Sequence, residues 1–239
     1  MYQFNWNREL REHIYDSYNF NDKRKILEIG CGTCVLLGEL GQRLPLSKEA
    51  DFELVGIDND SKRLKIAKKY LNSQNIKAKI LNMDAYELKF KDDYFDAIFT
   101  HLALLWIHDL ERIFNEIKRV LRKGGIFVIF AEPDYGGLIE YPDCGLREAI
   151  IDNLRSEGAD PLIGRKLPSY FRGFNVIGRY CGSVPWLSSL NYKDMLGELE
   201  FFKNLLGTDA FNYRKMKVSI DAEFYTLFIP IFTFILEKI

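Results

Sequence analysis

The stretch Glu28-Ile-Gly30-Cys-Gly32-Thr33 carries the residue types and spacing in this 239-residue chain best suited to holding a ligand. It grows out of the apolar run Lys25-Ile-Leu-Glu-Ile29, which suits a buried parallel strand. Gly30 and Gly32 allow the backbone to turn sharply and to approach a ligand where any side chain would clash. A helical pattern, Val35 to Arg43, begins at once, so the unpaired amides of a helix N-terminus face the turn. Together these make a nucleotide cradle. In a dinucleotide site the third position after Gly32 would be Gly or Ala, and Val35 is too large for it. Glu28 is also unneeded for a pyrophosphate, whereas a carboxylate there suits a cationic ligand. Asp58 closes a second apolar run, Phe52 to Asp58, where an acid can grip both hydroxyls of a ribose.

The same logic continues downstream. Lys79 to Asp84 is a third run ending in an acid, and Asp96 to His101 reads as a fourth strand. Leu110 to Leu121 is an amphipathic helix (Leu110, Ile113, Phe114, Ile117, Val120, Leu121) expected to end at Gly124-Gly125. Gly125 to Ala131 is the fifth strand. These pieces, with Arg119-Val-Leu-Arg-Lys-Gly-Gly125, resemble the class I S-adenosylmethionine-dependent methyltransferases, in the type 11 branch that includes quinone-biosynthesis methyltransferases. The resemblance is close from Lys25 to Glu132. It implies an S-adenosylmethionine site made of Glu28, Gly30, Cys31, Gly32, Asp58, Asn59, Asp84, Ala85 and Thr100. In it Asp58 would take the ribose and Asp84 the adenine amine. Two positions depart from the family pattern: Cys34 stands where a third glycine is usual, and Lys123 where proline is frequent.

Methyl transfer from a sulfonium is an in-line displacement whose leaving group the cofactor supplies. The protein orients a nucleophile and excludes water, and it needs a base only for a nucleophile still protonated at neutral pH. The catalytic candidates are therefore His101, after the fourth strand, and Glu132 and Tyr135, on the loop Ala131 to Gly137. Asp134, Tyr141 and Arg165 are further candidates for substrate contact, and His108 is expected to cap the next helix beside Asp109. Cys31-x-x-Cys34 has the spacing of half a metal site. Cys144 and Cys181 offer no second pair, so no metal is expected.

These residues need a frame to position them. The order of runs fits an α/β fold, and the resemblance implies its form: a Rossmann-like, seven-stranded, mostly parallel sheet with helices on both faces and an antiparallel last strand. One methyltransferase domain is expected over 1–239. Its parts would be an N-terminal lid (1–22), a cofactor-binding core (23–133) and a substrate-side insertion with sheet completion (134–239). The aromatic-rich helix within Tyr2 to Phe20 would cover the cofactor or the sheet edge. Further helices are expected near Arg147 to Glu157, within Gly164 to Arg172, and over Tyr192 to Leu206. The sixth strand falls near Asn175 to Gly182 and the seventh over Ile229 to Lys238, with Pro230 tolerable at its start. Trp106, Tyr170, Phe171, Tyr180 and Trp186 read as core fillers, though the density of aromatics after residue 134 suggests an apolar cavity.

Bulk properties narrow the function. The net charge is −1, and Lys62 to Lys69 reads as the solvated face of a helix burying Leu64, Ala67 and Leu71, so no basic footprint for nucleic acid is present. No basic-then-apolar leader opens the chain, and Phe224 to Leu236 is too short to span a bilayer. The expected protein is soluble and cytoplasmic, acts on a small-molecule substrate, and has a homodimer as its allowed assembly. The alternatives are a protein or peptide methyltransferase and a non-catalytic member of the fold. The Asn-Pro-Pro-Tyr signature of amide and base methylation is absent; Thr100-His-Leu-Ala103 stands in its place.

Overall fold

The computed structural model describes residues 8–44, 52–183 and 192–239. Seven strands form one sheet in the order β3-β2-β1-β4-β5-β9-β7. They are β1 (Lys25–Ile29), β2 (Glu53–Asp58), β3 (Lys79–Asn82), β4 (Phe95–His101), β5 (Leu121–Pro133), β7 (Phe174–Ser183) and β9 (Pro230–Lys238). β1 to β5 pair in parallel, and β9 runs antiparallel to both β5 and β7. The central strands are short, apolar and buried on both faces, as parallel strands between helical layers must be. One apolar layer packs α1 (Arg8–Ser17), α2 (Val35–Arg43) and α3 (Ser61–Ser73) on the sheet, joined by the inserted helices. The other is built around α4 (Leu110–Val120).

Capping residues set where the helices start. Asp60 accepts from the amides of Lys62 and Arg63 to open α3, and Asp109 accepts from Arg112 to open α4. His108 is exposed and does not cap, contrary to the sequence expectation. The end of α4 also differs from that expectation. The helix stops at Leu121, already extended, and Gly124-Gly125 lies inside β5, where Gly124 takes a φ of 68° within a register shift against β4.

The insertion holds α5 (Leu146–Ser156), α6 (Ile163–Lys166), α7 (Tyr192–Leu206) and α8 (Tyr213–Asp221). α6 is a single turn continued by a 3-10 turn, because Pro168 removes an amide donor. A second sheet pairs β6 (Ile139–Tyr141) with β8 (Thr226–Phe228). The sequence analysis expects neither this sheet nor α8: β6 and β8 are only three residues long and pair across more than eighty residues of chain. Trp186 and the part of the N-terminal helix before residue 8 lie outside the described residues.

Candidate active site

The cradle forms where β1 gives way to α2. Gly30 and Gly32 take φ values of 69° and 52°, a region that costs any other L-residue about 1–2 kcal/mol. The Cys31 amide donates to Ile57 O at 2.9 Å, and the Gly32 amide donates to Asp58 Oδ2 at 2.8 Å. Asp58 Oδ1 accepts from the Asp60 amide at 2.8 Å, so one carboxylate joins the glycine turn to the loop that opens α3. Each oxygen keeps a second lone pair for a ligand. The two glycines do different things. A Cβ on Gly30 would stand 2.6 Å from the Ala103 Cβ, so the loop after β4 rests against it. A Cβ on Gly32 would meet no protein atom within 4 Å, which leaves that side of the turn open to a bound group.

Glu28 is buried, and its Oε2 accepts from the Leu37 amide, in the first turn of α2, at 3.2 Å. It caps the helix from within the sheet, and burial drives its pKa well above the usual carboxylate range. Cys34, at the α2 N-cap, has a φ of 59°. Its thiol is fully buried against β2: a Cβ on Gly56 would lie 3.1 Å from the Cys34 Sγ and 3.0 Å from the Cys31 Sγ. The CH2–SH that replaces the usual glycine therefore points into the core, not into the cradle.

Beyond β2 and β3 the rim carries exposed Asn59 and Asp84 and half-buried Ala85. Asp84 Oδ1 accepts from the Tyr86 amide at 2.9 Å, and Asn82 Nδ2 donates to Asn59 O at 3.0 Å, which ties the two loop starts together. Thr100 is set apart: it is fully buried within β4 and its hydroxyl has no hydrogen-bond partner.

At the ends of β4 and β5 lie the catalytic candidates. Burial, helped by the Arg11 guanidinium, lowers the His101 pKa to about 3, so the imidazole is neutral at physiological pH and weakly basic. Glu132 is wholly buried and accepts three backbone amides, from Ala103 at 3.0 Å, Leu104 at 2.9 Å and Leu105 at 3.3 Å. Burial still raises its pKa to about 7. Tyr135 is half-buried, and burial with the charge of Glu132 pushes its phenol up to about 12. Buried Asp134 takes Arg165 Nε at 2.5 Å, while Tyr141 is exposed. Leu102 and Ala131, next to these residues, have φ values of 51° and 59°. With Cys34 they make three strained non-glycine positions at the C-terminal edge of the sheet, the pattern of a functional rim.

Arg11 escapes sequence reading, since a charged residue on an amphipathic helix reads as solvent-facing. It is 1% exposed and forks onto Glu39, with Nε to Oε1 at 2.9 Å and Nη2 to Oε2 at 2.6 Å. Tyr18 donates its hydroxyl to Ile177 O on β7 at 3.1 Å. These three hydrogen bonds fasten α1 to α2, and the residue after α1 to the far edge of the sheet.

The comparisons fit this geometry. Residues 27–129 match the methyltransferase-domain family model, and over this core the chain is similar to the class I S-adenosylmethionine-dependent methyltransferases, whose cofactor is S-adenosylmethionine. A sterol 24-C-methyltransferase of Aspergillus fumigatus is 31% identical over 108 residues, which are 44% of this chain and 27% of that protein. The chain thus matches only about a quarter of that relative's length. Among solved structures, a geranyl diphosphate C-methyltransferase from Streptomyces coelicolor aligns over 90% of this chain and 70% of its own, with a TM-score of 0.57 and 11% identity. The cyclase SpnF, a 4+2 cyclase, aligns over 96% and 80%, with a TM-score of 0.62 and 17% identity. At such identities the structural likeness shows the fold alone. Among the described residues, no helix is long and apolar enough to cross a membrane.

Proposed function

We propose that this chain transfers the methyl group of S-adenosylmethionine to a small organic acceptor. The observation that carries this reading is the glycine turn clamped by Asp58, with its open side over Gly32, at the C-terminal edge of parallel strands. Asp58 and Asn59 would hold the ribose, and Asp84 and Ala85 the adenine. Gly30, Cys31 and Gly32 would line the methionine part through their backbone, while Glu28 holds α2 in place. When bound, the cofactor supplies an electrophilic methyl and a neutral thioether leaving group. The chain's own task is to orient the acceptor and keep water out. His101, neutral and at the mouth, suits a hydrogen bond to the acceptor better than proton abstraction. Tyr135 lines the same edge.

The acceptor side is supported by the insertion: α5, α7 and α8 pack in the same apolar layer as α1 and α2, over the face that His101 and Phe130 share. The sterol 24-C-methyltransferase relative favours carbon as the methylated atom and an apolar acceptor. The reading includes a single domain in the cytoplasm, with assembly as a homodimer to be read by light scattering. A methyl-transfer screen with labelled cofactor against metabolite fractions tests it. Label in an apolar extract supports the proposal; label only in a peptide library would replace it with a protein methyltransferase. If neither cofactor nor its demethylated product binds at millimolar concentration, the enzyme reading fails.

A further inference from the structure

Glu132 stands where a base or substrate ligand would be sought, yet its carboxylate is committed elsewhere. β5 carries a bulge just before it: the register against β9 shifts between Ile129 and Glu132, Ala131 adopts a φ of 59°, and Thr233 Oγ1 accepts the Ala131 amide at 3.3 Å. A bulge re-aims the next side chain, here toward the loop after β4. There the three amides of Ala103, Leu104 and Leu105 open a 3-10 turn (Leu104–Trp106) that has no side-chain cap of its own, and Glu132 takes all of them. Ala103 in turn is the residue against which Gly30 rests. A continuous chain of contacts therefore runs from the end of β5, through a buried carboxylate, to the first glycine of the cradle.

We propose that Glu132 is a positioning residue for the cofactor turn: its carboxylate holds Ala103 against Gly30, and cofactor affinity, not the methyl-transfer step, depends on it. This rests on the reading of the turn as the cofactor site. An ionised carboxylate accepts all three amides with charge assistance; once protonated, one oxygen becomes a donor and the loop loses part of its anchor. The charged and titratable groups on the neighbouring elements are otherwise engaged. Arg165 on α6 is held by Asp134, Tyr135 stays protonated, and His101 on β4 stays neutral beside Arg11 on α1.

The test is calorimetric titration of S-adenosylhomocysteine into the full chain from pH 6 to 9, for wild type, Glu132→Gln and Ala103→Gly. Wild-type affinity should weaken as pH falls through about 7. Glu132→Gln should bind about tenfold more weakly at pH 8, equivalent to one charge-assisted hydrogen bond, and should lose the pH dependence. Ala103→Gly should also bind more weakly but keep the pH dependence, which separates the contact from the charge. Wild-type affinity in Glu132→Gln at pH 8, or an unchanged pH profile, overturns the proposal. If Glu132→Gln does not fold, wild-type affinity in Ala103→Gly overturns it alone. If the wild type binds no S-adenosylhomocysteine, the cofactor reading fails separately. Trp106 fluorescence in a Trp6→Phe/Trp186→Phe background then reads the anchor, and emission constant between pH 6 and 8 would refute it.

Discussion

Replacing Gly30 with alanine perturbs one atom at a place where the structure gives two independent penalties. The residue has a φ of 69°, which costs an L-residue about 1–2 kcal/mol. Its new Cβ would also lie 2.6 Å from the Ala103 Cβ, an overlap of roughly 1 Å against an ordinary carbon contact. Ala103 cannot retreat freely, because its amide is bonded to Glu132 at 3.0 Å, and overpacking of that kind costs about 1–3 kcal/mol. The sum is about 2–5 kcal/mol. Removing the opposing methyl relieves the second penalty and leaves the first. Gly30→Ala/Ala103→Gly should thus be more stable than the two single losses predict, with a coupling energy of about 1–3 kcal/mol. Urea unfolding of the four proteins of this cycle, with midpoints compared at equal slope, measures it. Additivity within about 0.5 kcal/mol would mean that the loop after β4 yields at no cost, and the contact chain from Glu132 to the cradle would be refuted along with the estimate.

Asp58→Asn keeps an acceptor for one of the two turn amides and presents an NH2 to the other. S-adenosylhomocysteine affinity should fall at least tenfold with the fold retained by circular dichroism, and unchanged affinity would remove Asp58 from the cofactor site. The pH dependence of stability has opposing contributions. Glu132 titrates near 7 in the fold against an ordinary 4.5. The folded state therefore holds the extra proton between those values, and stability falls as pH rises through them, by about 3 kcal/mol. His101 titrates near 3 against 6.5; there the unfolded chain holds the extra proton and stability rises with pH. Between pH 4.5 and 6.5, relative to wild type, the melting temperature of His101→Asn should tilt downward with pH and that of Glu132→Gln upward, and parallel curves would contradict both assignments. Native thiol titration with an aromatic disulfide reagent should modify Cys181, which is exposed, and spare the buried Cys31, Cys34 and Cys144 until denaturant is added. Rapid modification of Cys31 or Cys34 would mean that the cradle opens.

The parts of the fold legible in the sequence are those where periodicity and turn chemistry agree. Lys25 to Ile29 followed by two glycines, or Leu110 to Val120 with apolar residues at helical spacing, left no competing reading. The end of α4 was misread because Gly124-Gly125 is as good a signal for a strand irregularity as for a helix stop. β6 and β8 were missed because they pair only with each other, at long range, and are three residues long, while α8 does carry a local signal, an Asn212 cap with Met216 and Ile220 buried at helical spacing. In the site, backbone-determined features came through: Gly30, Gly32 and Asp58 stand where their spacing implies. Partnerships did not. Nothing local shows that Glu132 would face three amides, since that depends on a bulge at Ala131, or that Arg11 would be buried on Glu39.

The order of strands has a consequence for how the molecule is made. β9 lies between β5 and β7, yet it follows both in the chain. Until residues 230–238 have been synthesised, β5 presents an open, wholly apolar edge from Ile126 to Phe130, and β7 has no neighbour to pair with. The cradle, whose α2 and β2 are complete by Asp58, must wait on an incomplete sheet until Pro230 and the strand it opens have followed. An unpaired apolar edge is a template for association with other chains. A ribosome stalled before β9 should therefore yield aggregation, while a lesion within β7, at the sheet's outer edge, should leave the cradle and its parallel strands standing.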